Sequence, residues 1–247
     1  MKYSNLFFTV LLLVLTAGGL QGQQRGRGAA PQTPQQAAAI DLSGYWVSVV
    51  TEDWRVRMVT PPKGYYESVP MTAEARRVAD AWDPAKDEAA GNQCKAYGAA
   101  AILRMPGRLH FTWKDPNTLQ LDMDAGTQTR LLHFGAPQPA GAERSWQGYS
   151  VAEWEYAGRG QPRKGNLKLV TTNLKAGYLR KNGVPYSENA VVTEYFDRLT
   201  APNGDQWLVV VSEVADPQYL NPPFITSTQF KKVPDASGWN PTLCTAR

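Results

Sequence analysis

Ten short stretches of this chain alternate apolar and polar residues with a period of two: residues 42–50, 54–59, 108–113, 118–123, 127–134, 150–156, 167–174, 191–199, 207–214 and 225–233. Such alternation lines one face of an extended strand with every second side chain. The stretches are rich in Val, Thr and aromatic residues, which suit a pleated surface. Between them lie Asp115-Pro116-Asn117, Asp124-Ala125-Gly126 and Asn203-Gly204-Asp205, whose residues accept turn dihedrals, so antiparallel hairpins are predicted. Only residues 72–90 break the pattern. There Thr72 can cap a helix, Glu74 suits its first turn, and Ala75, Val78, Ala79 and Trp82 form an apolar stripe. Pro84 then fits as the first residue of a second short helix capped by Asp83.

A parallel sheet needs helices between its strands, and this chain offers one helical interruption. The prediction is an all-β fold: an antiparallel barrel of about 8–10 strands with a short helical insertion. No internal repeat and no second linker divides residues 41–247, which are read as one domain.

Ahead of it, Met1 and Lys2 precede an apolar run at residues 6–15 and the small residues Thr16, Ala17, Gly18 and Gly19. That is the plan of a signal peptide, assigned to residues 1–22. As a helix the run rises only about 15 Å against a bilayer core of about 30 Å, so no stable membrane span is expected. Residues 23–40, rich in Gln, Ala, Gly and Pro and without an aromatic residue, are predicted to be a flexible linker. The whole chain carries 26 basic and 22 acidic residues, but from Asp41 onward the balance is 23 against 22, which argues against nucleic acid as a partner. An exported address, periplasmic or extracellular, is oxidising, so Cys94 and Cys244 are expected to form a disulfide.

The first strand reads Asp41-Leu42-Ser43-Gly44-Tyr45-Trp46, a G-x-W that resembles the opening strand of lipocalins and the wider calycin superfamily. The resemblance implies a barrel floor plugged by Trp46, with small Gly44 permitting close backbone approach. Thr193-Glu194-Tyr195 resembles the T-D-Y turn motif of that superfamily, and Cys94 with Cys244 resembles the bridge that ties a lipocalin tail to its wall. The sequence departs from the pattern in three places. About 150 residues separate Gly44 from Thr193, the C-terminal helix is missing, and no Arg stands in the closing position, where Lys231 or Lys232 would have to serve. Segments such as Asp216-Pro217-Gln218-Tyr219-Leu220 also look similar to uncharacterised secreted bacterial proteins.

Chemical motifs are sparse. His110 and His133 are the only histidines, and H-E-x-x-H, C-x-x-C and P-loop patterns are missing, so neither metal nor cofactor is expected. Gly148-Tyr149-Ser150-Val151-Ala152 approximates a nucleophile elbow, but the strand-like residues after it contradict that setting. Asp122, Asp124 and Gly126 read as a hairpin turn better than as a calcium loop. Glu153 and Glu155 share a strand face and are candidates for acid/base chemistry, with an outer solvated face the expected reading. The chain has eight Trp and eleven Tyr, of which Trp113, Trp154, Tyr195 and Trp207 fall at positions that can point inward. Arg130 matters if its face is internal, since a buried guanidinium needs an acidic partner or an anionic ligand. The loop 217–224, with Tyr219, Pro222, Pro223 and Phe224, is a candidate either for an apolar lid or for a simple cover over one barrel end.

These residues lead to an exported monomer that holds a small apolar or aromatic molecule in a barrel interior lined by Trp113, Arg130, Trp154, Tyr195 and Trp207. The alternatives are a barrel enzyme using Glu153, Glu155, Arg130 or a His, with catalytic residues unassigned, and a structural or interaction module of the cell envelope.

Overall fold

A computed structural model describes residues 31–158 and 164–247. The expected signal peptide at residues 1–22 lies outside the described residues, as does the linker up to residue 30. The strands are β1 (Gly44–Val49), β2 (Arg108–Asp115), β3 (Thr118–Met123), β4 (Gln128–Phe134), β5 (Tyr149–Ala157), β6 (Lys164–Thr172), β7 (Gly177–Arg180), β8 (Val184–Tyr186), β9 (Val191–Thr200), β10 (Gln206–Ala215) and β11 (Phe224–Val233). Nine of them close a barrel in the order β1-β11-β10-β9-β6-β5-β4-β3-β2, while β7 and β8 form a separate hairpin. The nine staves coincide with nine of the ten alternating stretches of the sequence.

The tenth stretch, residues 54–59, is instead helix α1 (Trp54–Met58), started by the Asp53 carbonyl accepting from the N–H groups of Val56 and Arg57. A run that short satisfies both periods, so contacts outside it decide its conformation. Helices α2 (Ala73–Asp80) and α3 (Pro84–Ala89) fall where the sequence places them. Thr72 Oγ1 accepts from Ala75 N, and Asp83 Oδ1 accepts from Ala85 N.

All neighbours in the wall are antiparallel except β4 and β5, which run parallel over Leu132↔Ser150, His133↔Val151 and Phe134↔Ala152. The exception has a topological cause. Strands that alternate strictly up and down can close only in even number, so a ring of nine requires one parallel seam. The chain makes it by returning along the barrel through residues 135–148, long enough for such a crossover.

Inside, Trp46, Leu109, Phe111, Leu119, Leu121, Met123, Leu132, Leu167, Leu169, Phe196, Leu208, Val210 and Phe230 pack on one another as a single cluster. The lumen is therefore occupied by its own side chains. Near one end Trp46 is buried, its Nε1 donating to Leu42 O at 2.8 Å while Lys232 Nζ lies 5.4 Å from its ring. Gly44 is required there for another reason than close approach. Its φ is +98°, a region that side chains avoid, whereas an added Cβ would make only an ordinary 3.5 Å contact with Lys232. Residues 33–40, expected to be a free tether, lie across this end. Trp154 Nε1 donates to Pro34 O at 2.8 Å, Tyr156 OH to Ala37 O at 2.7 Å, and Ile40 packs on the core. Composition missed this because the segment is held through its backbone carbonyls, which every sequence possesses.

The opposite end carries a cap built from residues 50–107, the β7–β8 hairpin and the loop before β11. Its second cluster includes Tyr66, Val69, Ala79, Leu174, Leu179, Val184, Tyr186, Leu220 and Phe224. Loop 217–224 thus covers a barrel end, with Leu220 and Phe224 buried. Cys94 and Cys244 are bonded, with Cα atoms 5.0 Å apart, which pins the C-terminal tail to the cap. Among the described residues no helix is long and apolar enough to cross a membrane.

Candidate functional site

The alternation of β4 places Arg130 inside the barrel, where its side chain is 1% exposed. Its partner is the equally buried Glu194 of β9, met by both Nη1 and Nη2, while Nε donates to Ser150 Oγ at 2.8 Å and Nη2 also to Thr171 Oγ1. Ser150 Oγ and Thr171 Oγ1 share a further hydrogen bond at 2.8 Å. The guanidinium is thus satisfied within the wall itself, leaving no demand for an anionic ligand. Ser150 is a buried strand residue, as its flanking sequence indicates. Thr193-Glu194-Tyr195 lies within β9 and not at a turn, and its acidic member is the counter-ion of Arg130.

The aromatic candidates divide into two groups. Trp113 and Trp154 both pack against the core, each stacked on Phe134, with centroids at 5.5 and 5.3 Å. Tyr195 and Trp207 do not join them, because each alternates with buried neighbours, Glu194 and Phe196 in one strand and Leu208 in the other, and so belongs to the outer face. Glu153 and Glu155 also face outward and share Lys168, at 2.9 and 3.5 Å. Glu155 and Asp197 edge a shallow outer groove, where partial desolvation and Glu155 hold the Asp197 carboxyl above its usual range.

The place where charge is concentrated without being used up is the cap. A cleft of about 60 Å³ is lined by Val56, Arg57, Ala101, Arg104, Leu179 and Arg180 together with Lys181. Helix α1 contributes Arg57, the 3-10 turn Ile102–Arg104 contributes Arg104, and the end of β7 contributes Arg180. All three guanidinium residues are buried. Each is anchored at its back. Arg57 Nε donates to Arg104 O at 2.9 Å, Arg104 Nη2 donates to Asp53 Oδ2 at 2.8 Å, and Arg180 Nη1 donates to Glu67 O at 2.8 Å.

Three further donors have no partner among the described residues. Arg57 Nη2 and both Nε and Nη2 of Arg180 are buried without an acceptor among the described residues. Burial and then Arg104 push the Arg57 guanidinium down to about 10, and the same two causes lower Arg180. Like charges held together away from water in this way are stabilised by an anion placed between them. Arg104 extends the site, since it also edges an adjoining groove with Val211, Phe224 and Ile225, its guanidinium carbon 5.4 Å from the Phe224 ring.

Sequence reasoning missed this site. Arg57 sits in a stretch read as a strand, Arg104 in an apolar connection, and Arg180 in a hairpin too short to register. The three are 47 and 76 positions apart along the chain, so only the fold makes them neighbours. No motif in the sequence links Arg57, Arg104 and Arg180.

Compared with known proteins, the chain matches no protein-family model, no curated protein and no solved structure.

Proposed function

We propose that this chain is an exported, calycin-like barrel protein that binds a small anionic molecule, and that it does so in the cap rather than in the lumen. The barrel, the Trp46 floor with Lys232 above it, and the disulfide that anchors the tail support the calycin-like reading. The signal-peptide pattern and the disulfide support export. The observation that carries the binding reading is the trio Arg57, Arg104 and Arg180 with three buried donor nitrogens left unpaired. A neutral apolar ligand in the interior, expected from the aromatic content, is the weaker form of the proposal because side chains occupy that space.

A second reading, an interaction module of the cell envelope, draws on the same filled core. Native mass spectrometry of protein recovered from the exporting compartment separates the two. A co-purified anionic mass is expected for the binding protein. A bare polypeptide mass, together with no thermal stabilisation by any small anion, leaves the interaction module.

A further inference from the structure

Arg180 presents its donors in an informative way. In a guanidinium, Nε–H and one Nη2–H point from the same edge, and that edge is the fork that grips two oxygens of a carboxylate or phosphate. Arg180 spends Nη1, on the other edge, on the Glu67 carbonyl. Its fork edge is buried and has no acceptor among the described residues, and Arg57, which lines the same cleft, has a third such donor in its Nη2. A planar carboxylate has two oxygens, both of which the fork consumes. A tetrahedral oxyanion has a third to offer Arg57.

Charge makes the same selection. Arg57, Arg104, Arg180 and Lys181 line the cleft, and the acids acting on it are Asp53, paired with Arg104, and Glu52. Glu52 also accepts from Gln229 Nε2 at 3.0 Å, and Lys181 Nζ donates to Thr245 Oγ1 at 2.6 Å. Four cations against two carboxylates leave a surplus suited to a dianion. Resting on the anion-binding reading above, we infer that the cap site takes a phosphate group, free or as a monoester, with two oxygens on the Arg180 fork and a third on Arg57 Nη2. The adjoining groove, where Val211, Phe224 and Ile225 lie beside Glu52, Asp53, Ser68, Thr226 and Ser227, gives an ester's organic body room with an apolar side, and Ile225 is 62% exposed there.

The test is calorimetric titration of the purified chain, lacking residues 1–22 but with its disulfide formed, using inorganic phosphate, phenyl phosphate, acetate and benzoate. Inorganic phosphate and phenyl phosphate are expected to bind at least ten-fold more tightly than acetate and benzoate respectively. Tighter binding of phenyl phosphate than of inorganic phosphate assigns the natural ligand to the monoesters, and equal binding assigns it to free phosphate. Arg180→Lys keeps the charge and removes the fork, so phosphate affinity should fall at least ten-fold, with the ligand-free melting temperature serving as the folding control. Arg57→Lys, which keeps the charge but removes the Nη2 donor together with the Nε bond to Arg104 O, gives an independent loss should Arg180→Lys misfold. Benzoate binding as tightly as phenyl phosphate, or both variants binding phosphate like the parent, overturns the phosphate assignment while leaving an anion site. Binding of none of the four overturns the anion-binding reading itself.

Discussion

At the scale of single residues, the barrel interior is organised around one ion pair. Arg130 and Glu194 are both removed from water, so each is tolerable only because of the other and of the hydroxyls of Ser150 and Thr171. Replacing Glu194→Gln leaves a buried guanidinium without its counter-charge and is expected to cost about 3–5 kcal/mol in urea unfolding. The double change Arg130→Met with Glu194→Leu removes both charges and should recover most of that loss. The sequence exposed half of this arrangement. It showed that Arg130 would need an acid if it pointed inward, but Thr129, Leu131 and His133 on the other face of its strand are as plausible an inner set, and the partner lies 64 residues away. His133 supplies a second residue-scale expectation. It stacks on Tyr149 at 4.5 Å, and burial holds its imidazole below the ordinary 6.5. The unfolded chain therefore takes up a proton first as the pH falls below 6.5, and stability should decline through that window until the folded imidazole also protonates. Urea midpoints between pH 7.5 and 5 should show this decline, and His133→Gln should flatten it.

At the scale of elements, the parallel seam and the strap across the floor are the two features that strand periodicity could not supply. Periodicity reports which face a residue occupies, not the direction in which the next strand runs. It located all nine staves and the helices started by Thr72 and Asp83, since those depend on local chemistry. It failed at α1, whose five residues are held by contacts from elsewhere, and at residues 33–40, held by Trp154 and Tyr156. The strap gives a direct expectation. Trp154→Phe keeps the stack on Phe134 but removes the indole donor to Pro34 O, at a cost of about 1 kcal/mol. Amide exchange at residues 33–40 should accelerate while the barrel strands keep their protection.

At the scale of the whole molecule, the barrel is a solid support and the arginine cleft is built in the cap, from the segment between β1 and β2 and from the β7–β8 hairpin. The fold class was legible because it follows from many weak local signals that agree. The arginine cleft was not, because it is assembled from three distant segments with no shared motif. The disulfide links the tail to that cap across 150 residues of chain. Replacing both cysteines by Ser frees the unfolded chain from that closure, and the chain-entropy model places the loss at up to about 5 kcal/mol. The tail also brings Thr245 to Lys181 at the edge of the cleft. The same double variant is therefore expected to bind phosphate more weakly than the oxidised chain, as read by titration.

The wall closes where β1 meets β11, through pairs such as Tyr45↔Val233 and Trp46↔Lys232. The earliest stave to leave the ribosome must wait for the latest before either edge of the sheet is sealed. A polypeptide wired in this way stays open-sided until β11 is available, and becomes a sealed ring only when that strand pairs with β1.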